Sequence, residues 1–107
     1  MGNNREETEI QNQIRLGCTD IAVLFRINVY KGKTESGRYI KTAIEGYSDL
    51  SGFRKSDGKA VFIEVKTENG VVSPEQENFI RVAQSFGCLS GFARSVEDAR
   101  KIILDMK

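Results

Sequence analysis

The chain has no histidine and no tryptophan, one proline and two cysteines in 107 residues. Without an imidazole it cannot build a Ser-His-Asp or Cys-His nucleophile, an HExxH zinc site or a His-centred nuclease. Cys18 and Cys88 fall at the ends of two expected helices with no CxxC or Cys/His grouping around them, so they read as buried free thiols rather than as a disulfide or a zinc site. Uninterrupted apolar runs are a handful of residues long, far short of the roughly 20 that a bilayer crossing needs. The opening Met1-Gly2-Asn3-Asn4-Arg5 lacks the apolar stretch of a secretion signal, and the expectation is a protein that stays inside the cell. Repeats, low-complexity segments and Pro/Ser linkers are also missing, so residues 1–107 are expected to form one domain. The chemistry left to such a chain uses carboxylates, lysine and metal.

Charged residues make up 29% of the chain and hydrophobic ones 39%, the balance of an ordinary packed domain. The net charge of +1 argues against a surface that is basic throughout. Distribution says more than the total. Between Arg26 and Lys59 the basic residues Arg26, Lys31, Lys33, Arg38, Lys41, Arg54, Lys55 and Lys59 outnumber Glu35, Glu45, Asp49 and Asp57 by four, which allows one local basic patch. A solvated hairpin with ordinary lysines accounts for the same residues.

Hydrophobic spacing sets out the elements. A helix is expected from about Arg5 to Leu16, with Ile10, Gln11 and Ile14 on one face, Glu7 on the same face, and Gly17 as the stop. Apolar and β-branched residues from Asp20 to Tyr30 read as a first strand, followed by a loop at Lys31-Gly32-Lys33. The segment from Gly37 to Ile44 reads as an exposed loop or a ragged strand edge. Strand-like runs from Tyr47 to Arg54 and from Lys59 to Lys66 flank Ser56-Asp57-Gly58, a hairpin signal. Ser73-Pro74-Glu75-Gln76 combines an N-cap, a proline at the first helical position and a glutamine three residues after the cap; Phe79, Val82, Ala83 and Phe86 then give a buried stripe. A short strand from Cys88 to Ala93 and a last helix capped by Ser95, with Ala99, Ile102, Ile103 and Met106 inward, complete the order helix, three strands, helix, strand, helix. The nine aromatic residues are mostly at strand or stripe positions and count as core. Tyr39, beside Arg38 and Lys41, is placed to pack on a sugar or an unstacked base.

A two-residue turn at Asp57-Gly58 would set Asp49 opposite Lys66 and Ser51 opposite Glu64. Because side chains alternate, Asp49, Glu64 and Lys66 then share one face, and Leu50, Val61, Ile63 and Val65 line the other. Two neighbouring carboxylates repel unless a cation or a raised pKa relieves them, and oxygen ligands with open positions suit Mg²⁺ or Mn²⁺. A metal-activated water with a lysine beside it is the equipment of phosphodiester hydrolysis. A cross-strand salt bridge worth about 0.2–1 kcal/mol is the bland reading of the same trio.

Gly46-Tyr47-Ser48-Asp49-Leu50, Val61-Phe62-Ile63-Glu64-Val65-Lys66-Thr67 and Ser73-Pro74-Glu75-Gln76-Glu77-Asn78-Phe79 resemble the VRR-NUC branch of the PD-(D/E)xK nucleases. Arg26-Ile27-Asn28, Glu7-Thr8-Glu9-Ile10-Gln11 and Ser95-Val96-Glu97-Asp98-Ala99 also look like that family, in the small stand-alone form of phage and bacterial genomes. The resemblance implies an α/β fold with a restriction-endonuclease-like core, a mixed central β-sheet flanked by helices. It implies that Asp49 and Glu64 are metal ligands together with the Val65 backbone carbonyl, that Lys66 positions or activates the water, and that a first-helix glutamate, best matched by Glu7, stands near the metal directly or through water. Gln76 would reach the active site besides closing its cap. Ser48 departs from the proline of the superfamily's name, at a position that supplies no ligand.

The function expected on these grounds is a metal-dependent, structure-selective DNA endonuclease with Mg²⁺ or Mn²⁺ as cofactor. Arg26, Lys31, Lys33, Arg38, Tyr39, Lys41, Arg54 and Lys55 would contact the DNA. A branched substrate such as a four-way junction, and a homodimer presenting paired sites, are expected; no membrane and no nucleotide cofactor are. The alternative is a non-catalytic or partner-activated DNA-binding or assembly module on the same fold.

Overall fold

A computed structural model of the chain describes residues 4–26, 31–33, 39–41 and 46–105. The elements are α1 (Asn4–Gly17), β1 (Ala22–Arg26), β2 (Lys31–Lys33), β3 (Tyr39–Lys41), β4 (Leu50–Arg54), β5 (Ala60–Val65), α2 (Pro74–Ser85), β6 (Leu89–Ala93) and α3 (Val96–Leu104). Four strands form one mixed sheet in the order β1-β4-β5-β6. β1, β4 and β5 pair antiparallel, whereas β6 runs parallel to β5 after the α2 crossover. This is the expected order with one addition, a two-stranded ribbon of β2 and β3 between β1 and β4. The Lys31-Gly32-Lys33 loop is therefore a strand, paired with the middle of the segment read as a loop or ragged edge. No helix among the described residues is long and apolar enough to cross a membrane.

The apolar face of the central hairpin is as its alternation predicts. Leu50, Val61, Ile63 and Val65 are fully buried, and Ile14 from α1, Cys18 just after it, and Ala99 and Ile103 from α3 belong to the same core. Each of the large aliphatic side chains contributes about 1.5–3 kcal/mol by leaving water. Both cysteines are free, Cys18 buried and Cys88 only half-buried. Burial pushes the Cys18 thiol pKa up.

Four expectations need correcting. The hairpin turn is a four-residue loop, Lys55 to Gly58, closed by the Gly58 N–H donating to the Arg54 carbonyl at 2.8 Å and by the Arg54 N–H donating to the Lys59 carbonyl at 2.8 Å. Gly58 has φ +78, which a glycine adopts freely and which bends the chain back here rather than in a two-residue turn. The register is displaced by two residues, Leu50 facing Ile63 and Ser51 facing Phe62. An even displacement leaves every side chain on its expected face.

On α2 the buried residues are Ile80 and Ala83, whereas Val82 is exposed and Phe86 is 83% exposed. The helix rests on β5 and β6, and so narrow a floor covers a narrower stripe than the apolar spacing offers. Phe25, Phe53 and Phe92, on the sheet face opposite the aliphatic core, are also exposed rather than core. Tyr30 and Met106 lie outside the described residues.

Candidate active site

The β4–β5 ladder stops at Leu50 and Ile63. One position on along the bonding edge of β5 is Val65, whose N–H would be left without a backbone partner. The Asp49 carboxylate takes it, Oδ2 accepting from the Val65 N–H at 2.9 Å. The N–H and C=O of one strand residue emerge at the same edge, so the Val65 carbonyl shares the Asp49 side of β5.

Glu64, the residue before, is only 3% exposed. Its Oε2 accepts from Gln76 Nε2 at 2.6 Å and lies 3.7 Å from Lys66 Nζ. Its Oε1 is buried without a hydrogen-bond partner. Burial first, and the neighbouring Asp49 carboxylate second, push the Glu64 pKa up from 4.5 to about 8, with Lys66 opposing. A carboxyl held this way is primed for a cation, whose charge would replace the proton.

Gln76 reaches Glu64 because its helix starts at a fixed place. Ser73 Oγ accepts from the Gln76 N–H at 3.1 Å, and Gln76 Oε1 accepts from the Ser73 N–H at 2.9 Å. This reciprocal cap satisfies two helix-end donors and leaves the other end of the same amide for Glu64. Upstream, Gly46 has φ +79, and a Cβ there would stand 2.3 Å from the Glu75 carbonyl oxygen, so only glycine lets the Asp49 loop lie against the first turn of α2. Tyr47, Phe62 and Phe79 meet edge to face with ring centroids 5.2 to 5.9 Å apart, joining that loop, β5 and α2 on the Glu64 side of the sheet.

Asp49, Glu64, Lys66 and Gln76 are thus brought together, with the Val65 carbonyl beside them. Glu7 is half-buried on α1 and is not gathered with them: among the described residues no three acidic, cysteine or histidine side chains form a metal-holding group. Two carboxylates, one of them with an unpartnered buried oxygen, and a backbone carbonyl fit a hard divalent cation that keeps open positions for water and phosphate.

The expected DNA contacts are dispersed. Exposed Arg26 ends β1 beside Leu50, at the acid end of the sheet. Lys31, Lys33, Tyr39 and Lys41 are on the β2–β3 ribbon, Lys31 opposite Lys41 and Lys33 opposite Tyr39. Arg38 lies outside the described residues. Arg54 is at the far end of β4 and is already engaged: Nε and Nη2 donate to the Asp57 carboxylate at 3.0 and 2.6 Å, and Nη1 to the Ile103 carbonyl at 2.8 Å. That pairing holds the Asp57 carboxyl at about 2, well below its usual range. Lys55 is exposed in the same distal loop.

Gln11, one turn after Glu7, is buried as its place on the Ile10 and Ile14 face predicts, with its Oε1 unpartnered. One polar residue has no signal in the sequence. Arg94, beyond the end of β6, is turned toward the chain leaving β5, and no local motif marks it.

An acid at the mouth of a hairpin, a buried Glu-x-Lys on the adjoining strand and a mixed sheet flanked by helices define a nuclease domain of the PD-(D/E)xK class. Within that class the VRR-NUC domain model matches residues 17–97, about three quarters of the chain, and the protein belongs to that family. The matched span contains Asp49, Glu64, Lys66 and Gln76 and leaves Glu7 outside. No curated protein and no solved structure matches the chain. DNA is the substrate such a domain implies, and nucleases of this class generally use divalent metal ions.

Proposed function

We propose that the protein is a divalent-metal-dependent endonuclease that hydrolyses phosphodiester bonds in branched DNA inside the cell, with four-way junctions as leading substrate. The observation that carries this reading is the buried Glu64 carboxyl, one oxygen unpartnered, with the Asp49 carboxylate as its neighbour at the end of a nuclease sheet. Asp49, Glu64 and the Val65 carbonyl would hold Mg²⁺ or Mn²⁺, with Glu7 approaching through water. The cation supplies Lewis acidity and offsets the charge that develops on phosphate.

The chain's own groups do the rest. Lys66 orients the attacking water and donates to the phosphate as negative charge grows there. Gln76 fixes the Glu64 carboxylate by holding Oε2, so that Oε1 is the oxygen left for the cation. On the β2–β3 ribbon Lys31 is paired with Lys41 and Lys33 with Tyr39, a row of three lysines and a tyrosine suited to a DNA backbone. Affinity through that row falls steeply with salt and depends little on sequence. One small domain offers little surface for a junction, which favours a two-fold homodimer.

The test is incubation of the purified protein with labelled four-way, flap and linear duplex DNA, in Mn²⁺ and in EDTA. Cation-dependent cuts in the branched substrates are expected. Binding without cutting in Mn²⁺ would leave a DNA-binding module in place of an enzyme.

A further inference from the structure

Lys66 has a long, rotatable side chain, and holding its ammonium at one place costs rotamer entropy. Something must restrain it. Its side chain is 12% exposed, and Nζ lies 3.7 Å from Glu64 Oε2. The chain turns immediately after it, the Gly70 N–H donating to the Thr67 carbonyl at 3.0 Å. A Cβ on Gly70 would stand 3.3 Å from Lys66 Cδ, so the backbone of this turn is a wall against the lysine stem.

The turn is held from outside by one residue. Arg94 Nη1 donates to the Thr67 carbonyl at 2.5 Å and to the Gly70 carbonyl at 3.0 Å, with the Glu68 carbonyl at 3.5 Å. Arg94 itself is fixed at both ends of its reach. Its backbone N–H donates to Asp98 Oδ2 at 3.0 Å in the first turn of α3, and the preceding Ala93 carbonyl accepts the Lys66 N–H at 3.0 Å. Its guanidinium lies 5.7 Å from the centre of the Phe92 ring.

We infer that Arg94 is a positioning residue for Lys66, acting through the Thr67–Gly70 turn, so that α3 and β6 set where the active-site amine stands. This rests on the nuclease reading of Lys66. A planar guanidinium presents several donors to converging carbonyls, which a lysine ammonium at the same position does not reproduce in geometry. The bonds of Arg94 go to the Thr67–Gly70 turn and to Asp98 rather than to Asp49 or Glu64, so its removal reaches the acid pair through Lys66.

The experiment uses Arg94→Ala and Arg94→Lys, each alone and combined with Lys66→Met, in the full chain. Two readouts are taken: Mn²⁺-dependent cleavage, and the rate at which acetic anhydride labels Lys66 in the folded protein, measured by mass spectrometry against the other lysines. Arg94→Ala is expected to lower kcat by about 10- to 100-fold, the range that a misplacement near 1 Å produces, with KM within about twofold. In the Lys66→Met background it changes the residual rate by less than about twofold. Lys66 labelling rises several-fold in Arg94→Ala, and Arg94→Lys does not restore the rate.

Equal losses in both backgrounds, or unchanged Lys66 labelling, would overturn the inference. Labelling decides it even if the wild-type protein cuts nothing, an outcome that would defeat the nuclease reading alone. Should Arg94→Ala fail to fold, Gly70→Ala displaces the same lysine stem with Arg94 in place, and the same rise in labelling and loss of kcat are expected.

Discussion

Raising the pH from about 5 to about 9 in EDTA strips the proton from Glu64 while the protein is folded. In the unfolded chain that carboxyl titrates near 4.5, whereas in the fold it is pushed up to about 8. The folded protein therefore holds a proton that the unfolded chain has lost throughout the interval between those values. A group raised in this way contributes stability that is fully present below 4.5 and is lost as the pH rises through about 8. Inside the interval the loss runs at up to about 1.4 kcal/mol per pH unit. For a domain of this size each kcal/mol moves the melting midpoint by roughly 4–8 °C.

The background is unusually clean, because the chain has no histidine to titrate in that window. Urea denaturation at half-unit pH steps is the assay, on the wild type and on Glu64→Gln. The substitution keeps an oxygen for Gln76 Nε2 and has no proton to lose, so its stability is expected to be flat between about pH 5 and about pH 8 where the wild type declines. Saturating Mn²⁺ should stabilise the wild type more at high pH than at low, since a cation binds the carboxylate and competes with the proton. A wild-type profile without decline, or the same decline in Glu64→Gln, would refute the placement of Glu64 as a buried acid awaiting a cation.

Two further outcomes concern its neighbours. Asp49→Asn retains an oxygen for the Val65 N–H and should unfold like the wild type, whereas Asp49→Ala leaves that donor unpaired and costs about 1–3 kcal/mol; both should lose Mn²⁺-dependent cleavage on a gel. Gln76→Ala should lose about 0.5–2 kcal/mol with its cap, whereas Gln76→Glu keeps an acceptor for the Ser73 N–H but sets another carboxylate against Glu64. Slow cutting by a stably folded Gln76→Glu protein would separate the active-site job from the cap, and a wild-type rate would leave the cap as its whole role.

What sequence could reveal here depended on how local each constraint was. The hairpin was legible although its loop is two residues longer than the Asp57-Gly58 signal implies, because a shift by two residues preserves side-chain parity and leaves Leu50, Val61, Ile63 and Val65 on the core face. The α2 start was legible because Ser73, Pro74 and Gln76 fix it within one turn. The buried width of α2 was not, since it depends on how many strands lie beneath the helix. Arg54 looked like a free cation because nothing near it in sequence announces that the Ile103 carbonyl, 49 residues on, takes one of its donors. The ribbon of β2 and β3 was hidden by its lysines, whose low strand propensity outweighed a pairing visible only in the backbone register.

The position of the site follows from an ending. Between β4 and β5 the ladder exhausts its backbone partners at Leu50 and Ile63, and the bend at Asp49 takes β4 away while β5 continues to Val65. A strand that outruns its neighbour exposes an N–H and a carbonyl on one edge. Here the N–H is taken by one oxygen of a carboxylate, which fixes Asp49 in place, and the carbonyl lies beside it. Period-two alternation then puts Glu64 and Lys66 on the α2 side of the sheet, where the capped start of that helix delivers Gln76 to Glu64. Polar groups left over by the fold therefore converge at one point, and burial makes their lack of partners costly. That cost falls as soon as a cation binds, so the same arrangement that burdens the empty fold favours its loaded form.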